Sequence, residues 1–194
     1  MADHLKMDPA RIARLRDPAR YKQVDPLKIL DVVEPAAGAG PVIDVGAGVG
    51  FVTLPFARRL ADRQIVAADI QAGMLDLLSE QAAADGLENV STALMPGPTT
   101  LPTADGSGAM LVMLQVHHEL DDAPGLLAAC RRALAPGAPI AIVDWKAEER
   151  PGVPQGGRRV PAARIVSDLE DAGFLDVKGH DVYPDHSLTT GRAP

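Results

Sequence analysis

An apolar run that reaches an aspartate and then places glycine at every second position leaves a chain few ways to fold. Here the run is Pro41-Val42-Ile43-Asp44-Val45, and Gly46, Gly48 and Gly50 follow, with Ala47 and Val49 between them. The β-branched run suits a buried strand. Glycine lets the backbone turn sharply and lets a ligand approach it closely. The amides near Phe51 and Val52 open an amphipathic helix and can face an anionic group. A second apolar run, Ile65-Val66-Ala67-Ala68-Asp69-Ile70, again closes on an acid. A carboxylate at the end of a second strand stands beside a ribose, where its two oxygens accept both hydroxyl protons. Asp69 can also cap the helix after it. Strand, glycine turn, helix, strand and acid together predict an adenosine-type cofactor site.

The same alternation continues along the chain. Short apolar runs at 42–45, 65–70, 90–94, 109–115 and 138–145 alternate with amphipathic stretches at 51–61, 73–85, 122–135 and 160–172. That rhythm predicts a parallel sheet with helices on both faces. Gly173-Phe174 ends the last helix, and two strands at 174–183 and 186–191 flank Pro184-Asp185, which suits an antiparallel hairpin. Residues 1–35 read as a partly basic helical cap on the domain formed by residues 36–194. Within the cap, Asp25-Pro26 is a helix start, and Leu27, Leu30 and Val33 recur at helical spacing. The stretch 146–161 is charged, rich in glycine and proline and without periodicity, so it reads as a mobile loop at the carboxyl ends of the strands.

Charge and composition exclude several classes. A net charge of -7 argues against a duplex nucleic-acid binder. Cys130 is the one cysteine, so no disulfide forms within the chain, which fits a reducing compartment. The start Met-Ala-Asp-His-Leu-Lys carries no apolar signal region, and the apolar run from Ala109 to Leu114 is too short to span a bilayer. The expectation is a soluble, cytoplasmic protein with no membrane span. Oligomeric state is not readable.

With these residues in view, the chain resembles the class I S-adenosylmethionine (SAM)-dependent methyltransferases. Val42 to Gly50 resembles the family's first motif. Asp69-Ile70 with Met74-Leu75 resembles its second. Leu101-Pro102 and Asp105-Gly106-Ser107 resemble the loop before the fourth strand, and Val116-His117-His118-Glu119-Leu120 the segment after it. Arg131 to Gly137 resembles the helix end before the fifth strand, and Ala172-Gly173-Phe174 the approach to the terminal hairpin. The order and spacing of all six pieces carry the resemblance. It implies an α/β, Rossmann-like three-layer sandwich, with a seven-stranded, mostly parallel sheet and an antiparallel terminal hairpin. It further implies SAM as cofactor and a small-molecule methyl acceptor, as in the group that includes quinone-biosynthesis methyltransferases. Two positions depart from the pattern. The loop Leu94-Met95-Pro96-Gly97-Pro98 lacks the acid that many members place near adenine, and Ala109 stands where many open the fourth strand with Asp.

The expected cofactor contacts are Asp44, Gly46, Ala47, Gly48, Gly50, Asp69, Ile70, Met74, Met95, Pro96 and Gln115. Met74 can equally be core, and Gln115 can equally face solvent. His117 and His118 are candidate general bases, because imidazole titrates near neutrality. Both can instead pack at a helix start. A metal site with Glu119, His180 or His186 lacks any standard ligand spacing. Asp144, Trp145 and Lys146 can line a substrate pocket. Arg20 and Tyr21 can close over the cofactor carboxylate, although a solvated basic face is the simpler reading of that segment, as it is for Arg158 and Arg159. Two other functions compete. A nicotinamide oxidoreductase would want glycine at position 51, which holds Phe51. A non-catalytic descendant of a methyltransferase remains compatible with Gly97 and Ala109.

Overall fold

Each apolar run supplies enough side-chain area to hold a strand, and each glycine- or proline-rich break ends one. In the computed structural model, residues 8–38, 40–148 and 158–194 are described. The five strands β1 (Val42–Val45), β2 (Ile65–Asp69), β3 (Val90–Leu94), β4 (Met110–Leu114) and β5 (Pro139–Trp145) pair in parallel. The terminal strands β6 (Leu175–His180) and β7 (His186–Arg192) form the hairpin, and β7 runs antiparallel to β5. The order across the sheet is β3-β2-β1-β4-β5-β7-β6. This is the seven-stranded arrangement the alternation and the resemblance led us to expect.

Parallel strands buried on both faces need to be apolar throughout, and all five residues of β4 are buried. Ile43, Leu111, Met113, Ile140 and Ile142 pack towards α5 (Ala123–Ala133) and α6 (Ala162–Asp171). Val42, Met110, Val112, Ala141 and Val143 pack the other way, against α3 (Thr53–Arg59) and the amino-terminal residues Val24, Ile29 and Val33. On that second face α4 (Ala72–Ala84) sets Leu78 and Ala82 against Ala67. Cys130 lies fully buried in the first cluster, and burial pushes its thiol up to about 12, so it is a packing residue.

The chain builds outward from β1 to β3 and then returns to build outward from β4. The order therefore reverses between β1 and β4, and their carboxyl ends diverge around a crevice, the usual ligand position in such sheets.

The amino-terminal segment differs from expectation. It forms two short helices, α1 (Pro9–Leu15) and α2 (Arg20–Gln23), and a single 3-10 turn at Pro26–Ile29. Asp25 does cap that turn, accepting from the Leu27 amide at 3.0 Å. Continuation is cut short because Ile29 and Val33 are drawn into the core while Pro35 ahead cannot extend a helix. Helix α3 starts at Thr53 rather than 51, since residues 48–52 remain in turn geometry. Strand β6 stops at His180 rather than 183, and its register slips between Leu175 and Lys178, where Asp176 has φ 53°. Of the expected loop at 146–161, residues 149–157 lie outside the described residues. Among the described residues, no helix is long and apolar enough to cross a membrane.

Candidate active site

The three glycines of the β1–α3 turn all hold positive φ, at 73°, 53° and 93° for Gly46, Gly48 and Gly50. They do so for different reasons. A Cβ on Gly46 would stand 2.4 Å from Val116 Cγ2, and one on Gly50 would stand 2.9 Å from Leu54 Cγ and 3.1 Å from Leu78 Cγ. The outer pair is there so that neighbours can pack. A Cβ on Gly48 would meet nothing within 4 Å, so this position faces the crevice. The Gly46 and Ala47 amides both donate to the Ala68 carbonyl, at 2.8 and 3.1 Å, which ties the turn to β2.

Asp69 completes the turn. Its Oδ2 accepts from the Gly48 amide at 2.8 Å and its Oδ1 from the Gln71 amide at 2.9 Å. Each carboxylate oxygen has a second acceptor direction left. Asp69 therefore does local work at the start of α4 while standing at the carboxyl end of β2. Asp44 lies under the turn rather than on it. It is buried, accepts from the Thr53 hydroxyl at 2.6 Å, and burial pushes its carboxyl up to about 7 despite that bond, with the nearby Asp69 charge adding to the rise.

Around the crevice the other expected contacts separate by exposure. Ile70 and Leu94 are large apolar side chains left 43% and 52% exposed at the ends of β2 and β3. Pro96 is exposed beside them. Met95 is buried, and its amide is spent on the Asp69 carbonyl at 2.9 Å. Met74 is buried, as its core alternative required.

Gln115 ends β4 with φ 59°, a left-handed conformation that non-glycine residues seldom adopt. Its side chain does not face open solvent. Oε1 accepts from Arg20 Nη2 at 2.9 Å, and Nε2 lies 2.8 Å from His186 Nε2. Arg20 also donates to the Leu15 carbonyl at 2.8 Å and lies 4.1 Å over the Phe51 ring, on which Tyr21 stacks at 4.4 Å. The solvated basic face expected for this segment does not hold for Arg20. His186 packs its ring 4.0 Å from that of Trp145, and burial pulls its pKa down to about 4. Sequence reasoning weighed His186 only as a metal ligand. Its link to Gln115 spans 71 positions and leaves no local pattern.

The two adjacent histidines turn to different partners. His117 is buried, with Nε2 3.2 Å from Asp168 Oδ2 on α6, close enough for attraction but without hydrogen-bond alignment. Burial lowers its pKa, against the pull of Asp168. His118 is half-exposed by comparison. Its Nδ1 lies 2.7 Å from Asp144 Oδ1, and its amide donates to Asp144 Oδ2 at 2.9 Å. The Trp145 amide adds a third donor to Asp144, at 2.7 Å. Burial tends to lower the pKa of His118, but the Asp144 bond and charge outweigh it, so the net shift is upward. Arg158 donates to the His118 and Leu120 carbonyls, and Arg159 to the Lys146 carbonyl with its guanidinium 5.5 Å over Trp145. The chain returning from the 149–157 segment is thus pinned to the ends of β4 and β5. His180 pairs with Thr190, and among the described residues no group of three or more His, Cys, Asp or Glu side chains gathers as metal ligands would.

Comparison with known proteins agrees with this geometry. Residues 42–137 match a methyltransferase domain family. The solved structure of a SAM-dependent methyltransferase from Aquifex aeolicus superposes with a TM-score of 0.88 at 28% identity, covering 97% of this chain and all of that one. The chain belongs to the class I SAM-dependent methyltransferases. The ubiquinone/menaquinone biosynthesis C-methyltransferase of Desulfotalea psychrophila is 26% identical over 171 positions, covering 72% of this chain and 68% of that one. The [4+2]-cyclase SpnF shares the fold, with a TM-score of 0.70 at 20% identity over 86% of this chain and 81% of its own. Family membership makes this an enzyme of methyl transfer with SAM as donor, and sets the nicotinamide reading aside.

Two measurements test how this methyltransferase builds its turn. Gly48→Ala should fold with a loss of about 1–2 kcal/mol from the left-handed backbone alone, yet place a methyl group on the crevice side. Gly50→Ala should be destabilised further, since Leu54 and Leu78 must also move. Denaturant unfolding should rank the two in that order, while calorimetry with S-adenosylhomocysteine should show lost binding in Gly48→Ala. For Asp44, a raised carboxyl makes a contribution to stability that is complete below its ordinary value of 3.8 and lost as pH climbs through about 7. Asp44→Asn should therefore gain melting temperature relative to the parent as pH rises from 4 to 7, and the difference should level off above that.

Proposed function

We propose that this methyltransferase transfers a methyl group to a small-molecule acceptor by in-line displacement, with His118 as the general base. The observation that carries the base assignment is the His118–Asp144 pair. Asp144 is fully buried and holds three donors, one of them Nδ1 of His118. A carboxylate that accepts from Nδ1 fixes the proton there and leaves Nε2 as the ring's acceptor. A half-buried imidazole so oriented can take a hydroxyl proton from an acceptor.

The residues at the crevice fit the cofactor. Asp69 has an acceptor direction free on each oxygen for a ribose diol. Ile70 and Leu94 offer exposed apolar flanks to adenine. Pro96 has no amide hydrogen and that of Met95 is spent, so the loop can offer adenine only carbonyl acceptors. Gly48 leaves its backbone bare beneath the amino-acid tail. SAM supplies an activated methyl group on a sulfonium whose departure leaves a neutral thioether, so no acid is required of the protein. The chain's part is orientation, which can be worth roughly 7–11 kcal/mol of a barrier, together with exclusion of water and removal of a proton where the nucleophile bears one. Trp145 under Arg159 forms a flat wall near the ends of β5 and β7, and the quinone-pathway relative supports an acceptor of small-molecule size. A hydroxyl-bearing ring would use the same base for methylation at oxygen or at an activated ring carbon. Residues 8–35 then serve as a cap on this crevice rather than as a separate unit.

Turnover with methyl-labelled SAM across a panel of hydroxylated aromatic acceptors tests the assignment. His118→Ala should lower kcat by about 100- to 10,000-fold with S-adenosylhomocysteine affinity unchanged. Because the His118 pKa is raised, activity of the parent should rise with pH through a value above 6.5, the neutral form being the base. Asp144→Asn removes the charge that raises it and should move that limb towards lower pH. A pH profile identical in all three proteins would remove His118 from the reaction.

A further inference from the structure

Arg20 is a half-buried cation whose partners are all neutral: the Leu15 carbonyl, the Gln115 side-chain oxygen and the face of Phe51. Among the described residues it makes no ion pair with a carboxylate. A charge drawn out of water without a counter-ion is costly, and such groups gather where a charged ligand docks. Arg20 stands over the ring that directly follows the glycine turn, beside the end of β4, where the chain's strained Gln115 sits.

The geometry also says how Arg20 is held. A guanidinium only donates, so the Gln115 atom facing it is the oxygen. The Gln115 amide nitrogen then faces His186, and at 2.8 Å His186 Nε2 has to be the acceptor. His186 is consequently neutral with its proton on Nδ1. Burial, which disfavours its charged form, agrees with this. A chain of hydrogen bonds thus runs from the terminal hairpin through the end of β4 to the amino-terminal segment.

We propose that Arg20 is the receptor for the carboxylate of the cofactor's amino-acid tail, held in place by the Gln115–His186 pair, and that the segment carrying it is a lid that senses that carboxylate. The proposal rests on the methyltransferase reading. His186 touches no cofactor atom and is a positioning residue: it fixes the Gln115 amide so that its oxygen faces Arg20. Tyr21, stacked on Phe51, moves with the lid.

Calorimetry with S-adenosylhomocysteine, which carries the tail, and with 5′-methylthioadenosine, which lacks it, separates the possibilities. Arg20→Gln should weaken the first by about 10- to 100-fold and leave the second within about twofold. An equal loss for both ligands, or no loss for either, overturns the carboxylate role. Failure of the parent protein to bind either nucleoside overturns the methyltransferase reading itself, and the lid with it. The positioning role is read without ligand, by trypsin cleavage within residues 11–22. His186→Phe keeps a ring against Trp145 but removes the acceptor, and should speed cleavage, while His186→Gln restores an acceptor oxygen and should slow it again. Equal cleavage in both variants overturns the role of His186. Should neither variant fold, nitrogen-15 NMR of the parent decides: a proton on Nδ1 supports the relay, and one on Nε2 overturns it.

Discussion

Positive φ at three alternate positions between Val45 and Phe51 is the constraint from which the whole carboxyl edge is assembled. With no side chain at Gly46, Val116 moves in against the backbone, and Val116 is the residue that delivers His117 and His118. With none at Gly50, Leu54 and Leu78 close over it and draw α3 and α4 together. The Gly48 amide meanwhile reaches Asp69, and the Gly46 and Ala47 amides reach Ala68, so β1 and β2 are locked at the level of the turn. A side chain at either outer glycine would displace the histidine segment or the helix pair. The cofactor cradle and the reaction chemistry share one support.

Burial then sorts the ionisable groups that this support brings together. Asp44, His117, His186 and Cys130 are all pushed towards their neutral forms by loss of water. His118 is shifted the other way because Asp144 supplies both charge and a 2.7 Å hydrogen bond. Two neighbouring residues of the same type, on one short turn, so acquire opposite tendencies. The difference comes from which carboxylate each can reach: Asp168 on α6 offers His117 proximity without alignment, whereas Asp144 at the end of β5 offers His118 both.

Most of the sheet was legible in the chain because its signals are local. Branched runs bounded by breakers mark β1 to β5 to within a residue or so, and the glycine turn with Asp69 marks the crevice. What sequence could not show is which partners meet across the fold. Asp69 reads as a ribose ligand, yet it also supports the Gly48 and Gln71 amides, a role that depends on β1 and β2 lying side by side. Arg20 reads as one of several basic residues on a solvated face, because nothing near it in sequence discloses Gln115, 95 positions on. The amino-terminal helix expected from Asp25-Pro26 shrank to one turn for a related reason: its cap is local, but its length was decided by how Ile29 and Val33 reach the distant core.

The sheet by itself does not choose a reaction, since a [4+2]-cyclase uses the same architecture. Methyl transfer from a sulfonium makes small chemical demands and large geometric ones, so the residues that matter are those that hold position. Here they come from parts of the chain with little freedom: the ends of β4 and β5, pinned from outside by Arg158 and Arg159, and the start of β7, where His186 is wedged against Trp145. Only the amino-terminal segment reaches the crevice without belonging to the sheet, and it docks through one cation, two aromatic rings and an amide. A rigid floor with one weakly tethered wall is what a site needs if it is to admit a charged cofactor and then shut out water.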